Sequence, residues 1–218
     1  YLHPLINPMG IAERKEKQKL EIRNAILEAS RKLIVEEGFE KVTMRKIADL
    51  IEYSPTTVYL YFKDKNEILF HLHQEGFRRM LEYNKNLIQI ANPLLRLHKM
   101  GENYLRFGLE NPEYYDVMFL QKAPMEALMC TAGDCEWKEG DLALDSLRAI
   151  IQECIDKKMI IPYDVNAMAM AIWGMVHGLV SLSIRDRFDK LVPKDQVFTM
   201  MEQSLNWLLN TMDQSNKR

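Results

Sequence analysis

Two helix starts set close together constrain this chain more than anything else in it. Thr43 precedes the apolar run Ile47, Ala48, Leu50 and Ile51, and Ser54-Pro55 opens a second segment, "PTTVYLYF", soon after. Thr and Ser suit the N-cap, where a side-chain oxygen accepts from an orphan N–H of the first turn. Pro at the first helical position gives up only a donor that had no partner. β-branched and aromatic residues make the second segment a poor helix in isolation. It needs neighbours, and Val58 and Phe62 fall on its inner face. Upstream, Ile22, Ala25, Ile26, Ala29, Leu33 and Ile34 follow helical spacing in a segment predicted from about Ile11 to Glu37. Gly38 reads as its left-handed stop, with Phe39 as the apolar contact that accompanies a helix C-cap. Three helices over roughly residues 13–62, the last two separated by about three residues, make a helix-turn-helix. Asp64-x-x-Glu67 then opens a further helix in the manner of a capping box.

The outer residues of the short helix are small hydroxyls and rigid aromatics, which suit DNA. Thr56 and Thr57 offer hydroxyls and methyls to base edges. Tyr59 and Tyr61 reach phosphates with a phenolic O–H, and Lys65 adds a cation beside free backbone N–H groups in the first turn of the next helix. Arg45, at the start of the second helix, is placed to read guanine or a phosphate.

The stretch "VTMRKIADLIEYSPTTVYLYFKDKNEIL" resembles the N-terminal DNA-binding domain of the TetR family of transcriptional repressors, over about 50 residues from Ala25 to Leu69. The resemblance implies that Thr43, Arg45, Ser54, Pro55, Thr56, Thr57, Tyr59, Tyr61 and Lys65 fall on DNA-contacting positions. One departure stands out. The turn of the family usually reads A-G-V-S, and here it reads Ile51-Glu52-Tyr53-Ser54. A glutamate in a left-handed turn costs about 1 kcal/mol relative to the glycine it replaces. The family also implies an all-α chain: an N-terminal three-helix domain over 11–65, a larger helical bundle for ligand binding and dimerisation over 66–213, and tails at 1–10 and 214–218.

Downstream, the pattern predicts a helix from Asp64 to about Asn92 and an amphipathic helix ended by Asn111-Pro112. A short aromatic helix over "EYYDVMFLQ" follows, then a lid-like loop over 123–138. Further helices are predicted from about Asp141 to Lys157, across "PYDVNAMAMAIWGMVHGLVSLSIRDRF", and across "PKDQVFTMMEQSLNWLLNTM". Tyr104, Phe107, Tyr114, Tyr115, Met118 and Phe119 form an aromatic and thioether cluster. Between helices this is either plain core or the wall of an apolar ligand pocket, with Trp173 and His177 as further candidate contacts. The run "AIWGMVHGLVSLSI" resembles a Trp-x-x-x-His-Gly signature of one TetR subgroup. His177 has no partner at the spacing a metal site requires, so no metal and no cofactor is expected.

From Val165 to Ile184 the chain has no Asp, Glu, Lys or Arg, and Gly174-x-x-x-Gly178 would suit a membrane helix pair. Asn166, His177, Ser181 and Ser183 dilute that reading, and no membrane partner is expected. The stripe Ala167, Ala171, Gly174, Gly178 and Ser181 instead lets another helix approach closely, in a dimer interface or in tight internal packing.

Composition excludes little by itself. Net charge is −2, yet residues 1–65 hold 12 basic against 10 acidic side chains, with the acidic excess in the remainder. Cys130, Cys135 and Cys154 make neither a disulfide framework nor a paired metal motif and read as free thiols of a reducing compartment, consistent with a cytoplasmic protein. Met9-Gly10 reads as a native start, with "YLHPLINP" as a leader or remnant. No nucleophile–base pair or phosphate loop suggests an enzyme.

The family resemblance implies a homodimer on a pseudo-palindromic double-stranded operator, its half-sites about one helical turn or slightly more apart. It also implies release by a small-molecule effector, which the aromatic and methionine cluster points to as largely apolar or aromatic. A ligand-independent DNA-binding dimer, its C-terminal domain serving only dimerisation or a protein partner, is the alternative. A solid core among Tyr104, Phe107, Tyr115 and Met118 would favour it; a cavity there would oppose it.

Overall fold

The computed structural model describes residues 10–121 and 138–213, and among these the regular structure is helical, with one isolated bridge between Ile160 and Asp213. The chain divides into two compact units between Leu72 and His73.

The first unit is built on α1 (Ile11–Glu37), α2 (Met44–Leu50), α3 (Pro55–Tyr59) and the first turns of α4 (Lys65–Asn84). Its core gathers Ile26, Leu33, Phe39, Ile47, Val58, Phe62 and Leu69, all buried. Thr43 Oγ1 caps α2 by accepting from Lys46 N at 3.2 Å, and Ser54 Oγ caps α3 by accepting from Thr57 N at 3.1 Å. Asp64 Oδ1 accepts from Asn66 N and Glu67 N, while Glu67 Oε2 reaches back to Lys63 N, so α4 starts as the sequence suggests. Gly38 does take a positive φ of 83°, but with ψ 150° it is extended rather than left-handed helical.

In the second unit, α5 (Pro93–Glu110) packs against α7 (Lys138–Asp156), α8 (Val165–Ser183) and α9 (Val197–Met212). Two glycines allow this. A Cβ at Gly108 would lie 2.3 Å from Val180 Cγ1, and one at Gly101 would lie 2.6 Å from Leu205 Cδ2. Arg96 Nη1 bonds Glu153 Oε2 at 2.8 Å and so ties α5 to α7.

Three sequence expectations are corrected. The helix expected to reach Asn92 ends at Asn84; a 3₁₀ turn follows at Leu87–Gln89, and Asn92 Oδ1 caps α5 by accepting from Leu94 N and Leu95 N. "EYYDVMFLQ" is not one helix but a single α turn, α6 (Pro112–Tyr115), continued by a π turn over Asp116–Leu120. The helix expected to run to Phe188 stops at Ser183. The segment read as a lid, save Lys138, lies outside the described residues, as do Cys130 and Cys135; Cys154 is a buried free thiol.

Candidate functional site

The α2–α3 turn is a Schellman motif. Tyr53 N donates to Ala48 O at 3.0 Å and Glu52 N to Asp49 O at 3.3 Å, with Glu52 at φ 60°. The glutamate therefore adopts the conformation that glycine would take more cheaply. Val58 and Phe62 hold α3 to the core, while Pro55, Thr56 and Tyr59 are exposed, as is Arg45 on α2.

The remaining candidates are committed in part to the fold. Thr43 and Ser54 are exposed but spend an acceptor on their caps, and Thr57 Oγ1 lies 2.9 Å from Ser54 Oγ. Tyr61 is half-buried. Lys65 Nζ sits 4.4 Å from the centre of the Phe39 ring, a cation–π contact. The sequence reading missed Leu60, 79% exposed beside Tyr59, and Leu50 and Tyr53 at the turn.

The second unit contains a cavity with an empty volume of about 750 Å³, its open mouth included. Phe77, Met80 and Asn84 of α4 form one wall; Leu97, Met100, Gly101 and Tyr104 of α5 a second. Ala143, Leu144 and Leu147 of α7 face Ile172, Trp173 and Val176 of α8, with Phe119 from the π turn. Among the described residues none of those lining the cavity is charged.

Of the predicted ligand residues, Tyr104, Phe119 and Trp173 line this cavity. Phe107, Tyr114, Tyr115 and Met118 are buried core instead, and His177 stands outside the lining too. The physical reason is helical periodicity: neighbours in an aromatic cluster point to different sides of α5 and α6, and only one side meets the void. Met80, Met100, Leu144 and Leu147 were missed because an apolar stripe facing a void has the same spacing as one facing a core.

The core aromatics nonetheless support the cavity wall. Trp173 Nε1 donates to Tyr104 Oη at 3.2 Å, Tyr104 Oη lies 3.1 Å from Tyr115 Oη, and Tyr115 Oη lies 2.7 Å from His177 Nδ1. Burial pushes both phenols above the usual tyrosine range, so neither ionises near neutrality. Burial, and then Arg185, lower the pKa of His177, which favours the neutral ring. Among the described residues no group of three or more potential ligands could hold a metal ion.

On α8 the small-residue stripe is open. Ala167, Ala171 and Gly174 are exposed, Gly178 and Ser181 half-buried, and a Cβ at Gly174 or Gly178 would meet nothing within 4 Å. Tight internal packing at the two glycines, one of the two readings of the stripe, is thereby overturned. Met170 and Leu182 on α8, and Met200 and Trp207 on α9, are exposed as well. α8 is long and apolar enough to cross a membrane, with mean hydropathy 1.5 over a window only 28% buried.

Residues 26–72 match the family described as "Bacterial regulatory proteins, tetR family", and residues 97–205 match "Tetracyclin repressor-like, C-terminal domain". The HTH-type transcriptional regulator SAB2452 of Staphylococcus aureus (strain bovine RF122 / ET3-1) is 29% identical over 96 residues, covering 44% of this chain and 52% of that protein. The chain thus spans about half the length of the curated relatives it matches. Two solved structures share the fold. The ketosteroid transcriptional regulator KstR2 of Mycobacterium tuberculosis superposes with TM-score 0.66 at 17% identity, over 88% of this chain and 95% of its own. The fatty acid degradation regulator FadR of Bacillus halodurans does so with TM-score 0.66 at 18% identity, over 84% and 93%.

Proposed function

The chain belongs to the tetR family of bacterial regulatory proteins, a transcriptional regulator with a DNA-binding helix-turn-helix, and from that premise we propose that it is a homodimeric repressor released from its operator by an apolar small molecule. The observation that carries the ligand part is the cavity and the helix it touches. Phe77, Met80 and Asn84 on the later turns of α4 line the cavity, while Ile68, Leu69 and Leu72 on its early turns are core of the helix-turn-helix unit. A molecule that favours one placement of α4 acts through a continuous backbone on the DNA-binding unit. Tenfold release needs only about 1.4 kcal/mol of differential affinity between the two states. The two solved structures of the same fold are a ketosteroid regulator and a fatty acid degradation regulator, names that point to apolar chemistry, which fits a wall of Met, Leu and aromatic side chains.

The open α8–α9 face supports the homodimer. Exposed Met170, Leu182, Met200 and Trp207 around a stripe of small residues are what two helices from each of two copies would bury together. Two-fold symmetry would then set two α3 helices on successive major grooves of a pseudo-palindromic site. A cytoplasmic location follows from a DNA partner. The cavity beside Tyr104 argues against the ligand-independent reading.

The test is binding to DNA flanking the protein's own gene, titrated against salt by fluorescence anisotropy. Sequence-dependent binding with a steep salt slope supports the operator reading. Binding no tighter than to random DNA, with Glu52→Gly included as a control for the turn, would sink it for that site.

A further inference from the structure

The cavity has a hydrogen-bonding polarity that the backbone fixes. Tyr115 Oη lies 2.7 Å from His177 Nδ1 and 3.2 Å from the His177 carbonyl oxygen, which can only accept. The one phenolic proton of Tyr115 is therefore directed to His177, and the phenol is the stronger acid of the pair it forms with a neutral imidazole. Tyr104 must then donate its own proton to Tyr115 across 3.1 Å, while it accepts from Trp173 Nε1. Tyr104 is among the residues lining the cavity, and its oxygen, with its proton spent, has nothing but a lone pair to offer a ligand.

A second chain of bonds fixes Asn84. The Asn103 side-chain nitrogen donates to Tyr83 O at 2.7 Å, which settles the orientation of that amide. The same nitrogen donates to Asn84 Oδ1 at 3.0 Å. Asn84, also in the lining, keeps its Nδ2 donors. Among the described residues the wall thus has one acceptor, one neutral amide donor and no cation. A carboxylate placed there would lose its hydration against a single neutral donor, a cost that burial does not return.

We propose that the cavity takes an uncharged apolar molecule bearing a hydrogen-bond donor, a hydroxyl or N–H, presented to Tyr104 Oη, and that it rejects the corresponding carboxylate. This rests on reading the cavity as a ligand site, and it narrows the class of ligand.

Three matched probes test it on the full chain at pH 8: 1-decanol and methyl decanoate below their solubility limits, and decanoate below its micellar concentration. Saturable quenching of tryptophan emission, lost in Trp173→Phe, reports occupancy. Decanol should bind at least about tenfold tighter than methyl decanoate, and decanoate should show no saturable binding. In Tyr104→Phe the ring remains, but the ligand acceptor is gone and the Trp173 N–H is freed to donate. There the preference for decanol should vanish or reverse. Decanoate binding as tightly as decanol, an equal affinity for alcohol and ester in the unaltered chain, or no saturable binding by any of the three would each overturn the proposal. Release of DNA is read separately by anisotropy. Probes that bind with the expected selectivity and leave DNA binding untouched would count against the effector reading and leave the ligand class standing.

Discussion

Tyr115 Oη and His177 Nδ1, 62 residues apart in sequence, meet at 2.7 Å and join α6 to α8 behind the cavity wall. His177 was singled out in the sequence as a ligand contact; its partner is instead a fully buried phenol. Tyr115→Phe keeps the ring that packs on Phe119 but leaves the His177 and Tyr104 polar groups facing an apolar edge. The expected loss is about 1–3 kcal/mol in urea unfolding, because unsatisfied buried polar groups cost that much. A change under about 0.5 kcal/mol would mean that water replaces the phenol.

Burial holds His73, 1% exposed with its ring tilted against Phe77 at a centroid distance of 5.0 Å, at a pKa of about 4, well below an ordinary histidine. The unfolded chain therefore takes up a proton first as the pH falls. The stability from this neutral ring is complete above about pH 6.5 and is lost on acidification toward pH 4. Between pH 7.5 and pH 5 the loss from this one group should be about 2 kcal/mol, on the scale of 1.36 kcal/mol per unit. His73→Phe should lose that much less than the parent over the same interval in urea titrations. Parallel losses in the two proteins would assign the acid sensitivity to other groups.

Among the described residues Glu52 is one of three non-glycine residues at positive φ, and all three occupy the same place in the same motif. Lys158, at φ 53°, follows α7, where Met159 N reaches Cys154 O; Asp186, at φ 54°, follows α8, where Arg187 N reaches Leu182 O. Each helix closes on a left-handed residue that carries a side chain. Glu52→Gly should raise stability by roughly 0.5–1 kcal/mol, the relief of the left-handed cost less the added freedom of the unfolded chain. An unchanged or lower urea midpoint would show that the glutamate side chain contributes something the turn geometry does not reveal.

The same three positions explain what the sequence revealed and what it hid. Helix starts were legible because Thr43, Ser54 and Asp64 carry side-chain acceptors whose chemistry is local. Helix ends without glycine were not: the residues after Ser183 keep a helical composition, so α8 was read several residues too long, and with no stop at Asn84 α4 was as well. The aromatic cluster was visible, but which of its members faced empty space depended on rotation about α5 and α6, settled only by packing across helices. Tyr104 and Phe119 face the void; Phe107 and Tyr115 do not.

Arg45, Thr56 and Tyr59 are exposed, so substituting them should leave the fold intact and isolate their effect on DNA. Thr56→Ala should lower affinity for the operator by about 1–3 kcal/mol and leave random DNA untouched if the side chain meets a base edge. Tyr59→Phe should weaken all sequences alike, as a phosphate contact does. Arg45→Ala separates its two roles: a salt slope lower by about one marks a phosphate contact, whereas relaxed sequence preference at an unchanged slope marks a base contact. No effect from any of the three would place the DNA on another face.

Gly174 and Gly178 lie mid-helix with open space before them, an arrangement that weakens an isolated helix by roughly 0.5–1 kcal/mol per glycine relative to alanine. A chain gains from such positions only if another backbone comes close. Gly174→Leu should therefore leave the helix content of each chain unchanged while driving the protein toward monomer, read by sedimentation velocity across a concentration series. Affinity for a two-half-site operator should fall steeply in the same variant, because one helix-turn-helix unit keeps only one half-site. A variant that stays dimeric with unchanged DNA affinity would move the interface off α8. The exposed Trp207 and Met200 on α9 would then be the next residues to change.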